Sequence, residues 1–380
     1  MTVLAFRNGR ILLPGGIAES ARIEIGNDRI DAVLSGDEAG TGLGPSVDLG
    51  GGWLVPGFVD TQVNGGGGVL FNDSPDVASL ARISAAHARF GTTALLPTLI
   101  SAPRDTIARA LDAVDEAIAS GVPGVIGIHV EGPFLNEARR GIHDAGQFRP
   151  LEDELIALLT RPRKGKVMVT LAPECNAPDA VRALVEAGVI VSIGHSNASY
   201  EDVRLAIANG VRGVTHLFNA MSPFHHRHPG VVGAVLEDRS LWCGLIVDGA
   251  HAHPAAIRVA LAARPADRFM LVTDAMPTVG SERKRFVLNG EEITVRDGVC
   301  VNAEGTLAGS DLDMATAIRN SVELGMAPHV AFAMATHNPA EFLGLESSRG
   351  AIARGHHADL VWLDADFRTQ ATWIGGQRVR

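Results

Sequence analysis

The sequence predicts an α/β protein: a TIM-like (β/α)8 barrel with a small β-sandwich domain built from both chain ends. Three observations carry this. Between residues 53 and 350 apolar strand-like runs alternate with amphipathic helical segments, the pattern of parallel βα units. Eight such runs can be counted, each apolar enough to be buried on both faces. Residues 1–52 and 351–380 hold no helical periodicity and read as short strands between turns.

At the amino end the strands are Val3 to Phe6, Arg10 to Leu13, Ala21 to Ile25 and Ile30 to Leu34, punctuated by Gly15-Gly16 and Asn27-Asp28. The barrel strands follow as Leu54 to Val63, Thr92 to Leu99, Val125 to Val130, Val167 to Leu171, Ile190 to Ile193, Val211 to His216, Leu241 to Val247 and Phe269 to Val272. Ser74-Pro75 opens the first helix as N-cap and first residue, and Gly91 closes it. Asp105 opens the next, which ends at Gly121, while Gly188 and Gly210 close later helices. A hairpin with turns at Asn289-Gly290 and Asp297-Gly298 is inserted after the eighth strand. Leu360 to Leu363 and Ala371 to Val379 complete the small domain. An open doubly wound sheet would favour Gly-x-Gly-x-x-Gly after its first strand, but Gly65 to Gly68 precede no helix at that spacing.

Composition narrows the function. With 33 basic against 43 acidic residues the formal charge is -10, which argues against a general nucleic-acid or anionic-membrane binder, since both need a basic face. No apolar run is long enough for a transmembrane helix, and Arg7 and Arg10 break the amino-terminal run, so a secretory signal is not expected. Three scattered cysteines make neither a disulfide framework nor a metal knuckle, and the expected compartment is the cytoplasm.

Polar residues concentrate where the barrel strands end, the face on which such barrels carry their active sites. The ends read Asp60-Thr61-Gln62-Val63-Asn64, His129-Val130-Glu131, Gly194-His195-Ser196, His216-Leu217-Phe218-Asn219, Asp248-Gly249-Ala250-His251 and Thr273-Asp274. Because strand tips converge on the barrel axis, Glu131, His195, His216 and Asp274 can meet although far apart in sequence. Two imidazoles with one or two carboxylates suit a divalent metal such as zinc with a position open for water. One histidine alone would more simply be a hydrogen-bonded strand-end residue; recurrence on three strands favours a metal site. The segment Phe224-His225-His226-Arg227-His228-Pro229-Gly230 is the densest cationic patch. It suits a phosphate, with a histidine-rich surface loop or adventitious metal binding as the competing readings. His87 and His329 lie in helical stretches and read as packing or surface residues.

Taken together, these motifs resemble the amidohydrolase superfamily and, within it, the N-acetylglucosamine-6-phosphate deacetylase family. The resemblance rests on Pro56-Gly57-Phe58-Val59-Asp60, His129 to Leu135 (HVEGPFL), Gly194-His195-Ser196, Thr215 to Met221 (THLFNAM), Asp248-Gly249-Ala250-His251 and Val272-Thr273-Asp274-Ala275, with Thr336 to Ala340 and Gly355 to Leu363 near the end. It implies metal-dependent hydrolysis of N-acetyl-D-glucosamine 6-phosphate to D-glucosamine 6-phosphate and acetate, in amino-sugar catabolism or cell-wall recycling. Glu131, His195 and His216 match the family's metal ligands, Asp274 its acid/base and His143 a histidine that polarises the amide carbonyl. Ile142, Asn219, Ala220, Arg227, Asp248, His251, Leu307, Ala308 and Gly309 match positions that hold the sugar phosphate. A homodimer with that phosphate site shared across the interface is implied as well.

One departure bears on the metal. Where many amidohydrolases carry His-x-His at the end of strand one, this chain has Gln62-Val63-Asn64. Neutral amides are poor zinc ligands beside imidazole, so one divalent ion per subunit, zinc by preference, is expected. The alternatives are another amidohydrolase acting on a cyclic amide or N-acyl amino acid, and a non-catalytic barrel used as a binding module.

Overall fold

A computed structural model describes residues 2–36 and 46–380; part of the expected amino-terminal segment 1–52 therefore lies outside the described residues. Eight parallel strands follow one another in chain order around a barrel: β1 (Phe58–Val63), β2 (Thr92–Ile100), β3 (Gly127–Glu131), β4 (Lys166–Leu171), β5 (Ile190–Ile193), β6 (Gly213–Val214), β7 (Trp242–Leu245) and β8 (Phe269–Leu271). Each pairs in parallel with its neighbour, from β1 with β2 to β7 with β8. The ring closes between β8 and β1. Val63 bridges Ala275, the Asp274 N–H donates to the Gln62 carbonyl at 3.0 Å, and the Thr273 hydroxyl donates to the buried Asp60 carboxylate at 2.6 Å.

The helices lie outside the ring with one apolar stripe inward. In α2 (Arg104–Ala119) Ile107, Ala110, Leu111, Val114 and Ala117 are buried, the three-to-four spacing of a helix lying on a sheet. α1 begins later than expected: it spans Val77–Ala88, and Asp76 caps it by accepting the Ser79 N–H at 2.8 Å. The Asp76 carboxylate reaches that amide, so Ser74-Pro75 stays outside the helix. α2 instead starts earlier than expected, at Arg104 after Pro103, with Asp105 in its first turn. His87 is a packing residue as expected, fully buried with its Nε2–H donated to the Gly65 carbonyl at 2.9 Å. His337 starts a short helix, His337–Phe342.

The barrel interior is layered. At the amino-terminal end of the strands Val59, Leu96, Met168, Ile190, Trp242 and Met270 pack against Phe342 and Leu343, which plug the floor. Above them runs a polar layer in which Thr98 meets His129 Nδ1 at 3.2 Å, His129 Nε2 meets Thr170 at 2.7 Å, and Thr170 and Ser192 both meet Thr215. One layer higher, at the strand ends, lie Glu131, His195, His216 and Asp274.

Two further sheets form the small sandwich. One pairs Ser46–Asp48, Thr2–Arg7, Ala21–Gly26 and Arg29–Ser35; the other pairs Gly16–Ala18, Arg10–Leu13, Trp53–Pro56, Leu360–Leu363, Thr369–Ile374 and Gln377–Arg378. Phe6, Ile11, Ile23, Ile25, Leu54, Leu360 and Trp373 make their common core. The insertion after β8 has one strand more than a double hairpin: Arg285–Leu288, Glu291–Arg296, Val299–Val301 and Leu307–Ser310 are all antiparallel. No helix of the described residues is long and apolar enough to cross a membrane.

Candidate active site

Above the polar layer, at the strand ends, opens a cavity of about 410 Å³ whose wall includes Glu131, His195, His216 and Asp274. Glu131 Oε1 lies 3.2 Å from His195 Nε2 and 3.0 Å from His216 Nε2, and the two nitrogens are 3.2 Å apart. All three residues are buried. His195, His216 and Asp274 take φ of +48°, +32° and +51°, a left-handed backbone that a β-carbon disfavours. Such strain persists only where the surroundings hold it, and it gathers at functional sites.

The donor set fits a divalent cation. His195 Nδ1 lies 2.8 Å from the Arg139 carbonyl, which can only accept, so Nδ1 carries the proton and Nε2 turns a lone pair toward Glu131. Zinc-type bonds of about 2.0–2.2 Å in a tetrahedral arrangement separate ligand atoms by roughly 3.4 Å, close to the separations seen. Burial would raise the Glu131 carboxyl, but the two imidazoles hold it well below the usual carboxylate range.

Asp274 faces this cluster and is held by two side-chain amides. Asn64 Nδ2 donates to its Oδ1 at 2.6 Å and Gln62 Nε2 to the same oxygen at 3.1 Å, while Gln62 Nε2 also lies 3.2 Å from Glu131 Oε2. Burial, reinforced by the charge of Glu131, pushes the Asp274 carboxyl up to about 6. In the sequence Gln62 and Asn64 stand out as polar strand-end residues in place of a second ion's ligands, with nothing to say that they meet Asp274. Their two-residue spacing after Asp60 was the signal that they share a face.

His143 packs against His195, ring centroids 4.3 Å apart. The Ser101 N–H points at its Nδ1, which makes that nitrogen the acceptor and leaves the proton on Nε2. Burial, with the nearby His195, holds His143 well below the usual imidazole range, so it is a neutral donor. Of the residues matched to the sugar phosphate, Ile142, Asn219, Ala220, His251, Leu307 and Gly309 line the cavity. Gly309 has φ +62°, and a β-carbon there would come within 2.7 Å of Met276.

Three expected residues are not on that wall. Asp248 stands behind His251, its Oδ2 2.6 Å from His251 Nδ1, so it orients the imidazole rather than facing the cavity. Ala308 is fully buried among Met276, Phe286 and Ile293, because alternation along its strand turns it to the opposite face. Arg227 is exposed on the loop after Met221, outside the cavity of its own chain. Arg139, Gly141, Met276 and Thr306 line the cavity without having been singled out, since no local motif marks them.

Comparison with known proteins identifies the family. The Amidohydrolase family matches residues 53–379. An N-acetylgalactosamine-6-phosphate deacetylase of Shewanella sp. (strain ANA-3) is 43% identical over 97% of this chain and 94% of its own, and the human N-acetylglucosamine-6-phosphate deacetylase is 37% identical over 99% and 95%. Among solved structures, N-acetylglucosamine-6-phosphate deacetylase from Pasteurella multocida has a TM-score of 0.94 at 33% identity over 99% of both chains. An aspartate-to-alanine mutant of the Mycobacterium smegmatis enzyme, in complex with N-acetyl-D-glucosamine-6-phosphate, has a TM-score of 0.90 at 33% identity over 100% of both. This chain belongs to the amidohydrolase family and, within it, to the branch of the N-acetylglucosamine- and N-acetylgalactosamine-6-phosphate deacetylases.

Proposed function

We propose that the protein hydrolyses N-acetyl-D-glucosamine 6-phosphate to D-glucosamine 6-phosphate and acetate, with one zinc ion per subunit held by Glu131, His195 and His216. The observation that carries this is the meeting of those three side chains within 3.2 Å of one another, with Asp274 facing them. A divalent ion lowers the pKa of a bound water toward about 7 and polarises an amide carbonyl. Asp274, pushed up to about 6, is poised to take a proton at neutral pH and to return one to the departing amine nitrogen. His143, neutral and protonated on Nε2, donates to the carbonyl oxygen as negative charge develops there. Gln62 and Asn64 keep the Asp274 carboxylate turned toward the reacting atoms.

Asn219, Ala220, His251, Leu307 and Gly309 form the sugar-phosphate wall. Arg227, exposed and away from its own cavity, serves the site of a second copy of the chain in a homodimer, and its guanidinium fork matches phosphate geometry. The catalytic domain runs over residues 53–350 between small-domain segments 1–52 and 351–380, with Trp53–Pro56 lending a strand to the small domain. The enzyme works in the cytoplasm, in amino-sugar catabolism or cell-wall recycling.

The 43% identical relative favours a second reading, in which N-acetylgalactosamine 6-phosphate is the substrate. Acetate release from both phosphorylated sugars, with bound metal quantified in the same preparation, tests the two together. Release from the gluco sugar supports the first, release from the galacto sugar alone replaces it, and release from neither removes both.

A further inference from the structure

His195 sits in a left-handed backbone conformation and needs a fixed tautomer, so something outside the cavity must hold it. Its Nδ1–H reaches the Arg139 carbonyl at 2.8 Å, and its own carbonyl accepts the Asn136 N–H at 3.0 Å. Arg139 ends the single 3-10 turn Glu137–Arg139, which Asn136 caps by accepting the Ala138 N–H on Oδ1 at 2.9 Å. Arg139 Nε also donates to Asn197 Oδ1 at 3.0 Å. The position of His195 thus depends on how the loop after β3 is registered against the loop after β5.

One side chain spans that joint. Glu174 lies in the turn Pro173–Cys175 directly after β4, the strand between the two loops. Its Oε1 accepts Asn136 Nδ2 at 2.9 Å and the Asn197 N–H at 2.5 Å, and its Oε2 accepts the Ser196 hydroxyl at 2.7 Å. Ser196 in turn donates its N–H to the Ala220 carbonyl at 3.1 Å and accepts the Ser222 N–H at 3.0 Å, which carries the link to the loop after β6.

We infer that Glu174 is a positioning residue for His195: its carboxylate holds Asn136 and Ser196-Asn197 in register, so that the Arg139 carbonyl keeps His195 Nε2 free to bind metal. This rests on the reading of Glu131, His195 and His216 as the metal site. Residues behind a metal ligand orient it and set its tautomer, and their loss weakens metal binding without changing the ligands. Glutamine at 174 fits the same space, with one oxygen for Asn136 and Asn197 and an amide that can donate to the Ser196 hydroxyl.

The test uses full-length protein stripped of metal: wild type, Glu174→Ala and Glu174→Gln. Each is titrated with Co2+ by visible absorption in competition with a chelator, and the metal-free forms are unfolded in urea. Glu174→Ala is expected to bind Co2+ about 10- to 100-fold more weakly than wild type, with Glu174→Gln within about threefold of it. Cobalt binding by Glu174→Ala within about threefold of wild type, or a loss in Glu174→Gln as large as in Glu174→Ala, would overturn the inference. A loss of urea stability in metal-free Glu174→Ala with unchanged cobalt affinity would reduce Glu174 to a structural staple and overturn it too. If Glu174→Ala does not fold, Ser196→Ala removes the Oε2 link alone and is expected to weaken cobalt binding several-fold; unchanged affinity there overturns the inference. Wild type that binds no cobalt sinks the metal site itself, an outcome distinct from all of these.

Discussion

Asn64 donates its side-chain amide to Asp274 Oδ1 across 2.6 Å, and Gln62 joins it on the same oxygen from 3.1 Å. Two neutral donors thus hold this buried carboxylate where His-x-His would offer ligands to a second ion. They favour the anion, while burial pushes Asp274 up to about 6.

Replacing Asn64 by Ala removes a donor to the anion, so the Asp274 carboxyl should titrate still higher. The acidic limb of the kcat/KM profile for acetate release should therefore move to higher pH. Asp274→Asn should keep its bound metal and lose about 10²–10⁴-fold in turnover. Near-normal turnover in that variant would exclude Asp274 as acid and base.

His143→Gln tests the proposed role of His143 as oxyanion donor. Loss of one well-placed donor costs about 3 kcal/mol in the transition state, a fall in kcat of roughly 10²–10³-fold. KM should change little, because the donor acts on charge that appears after binding. An equal effect on KM would point to ground-state binding instead.

Arg227→Ala should raise KM for the phosphorylated sugar far more than for free N-acetylglucosamine. Mixing Arg227→Ala with Asp274→Asn subunits should give more activity at low concentrations of the phosphorylated sugar than either variant alone, since one mixed site then combines Asp274 of one copy with Arg227 of the other. Mixtures no more active than their components would confine Arg227 to its own chain or remove it from the site.

His87 gives a pH dependence of stability. Burial holds its imidazole down at about 4, below the usual 6.5. The unfolded chain therefore binds a proton at higher pH than the folded one. Stability from this site is complete above about pH 6.5 and is lost as pH falls toward 4, by about 3 kcal/mol in all. His87→Gln, which stays neutral, should flatten that fall in urea unfolding between pH 7 and 4. Identical slopes in the two proteins would contradict it.

Much of the fold was legible because it is local. The strands at Ile190–Ile193 and Val167–Leu171 stand out as apolar runs, and Gly188 and Gly210 end helices with φ of +84° and +93°, a geometry that glycine tolerates. The start of α1 was misread because Ser74 and Asp76 are both capping residues, and only the fold decides which carboxylate or hydroxyl meets the Ser79 amide. The cluster at the strand ends was legible for a different reason: parallel strands deliver their carboxyl ends to one face, so chain order alone draws Glu131, His195, His216 and Asp274 together.

The sequence by itself determined the barrel, its active face and the four side chains at its centre, since these follow from strand periodicity and chain order. Tertiary structure alone decided that Gln62 meets Asp274 across 212 residues of chain, that the Arg139 carbonyl sets the His195 tautomer across 56, and that Asp248 stands behind His251. Hydrogen bonds between loops depend on angstrom-scale registry among strands that meet only when the ring closes, and no local pattern of residues encodes that registry.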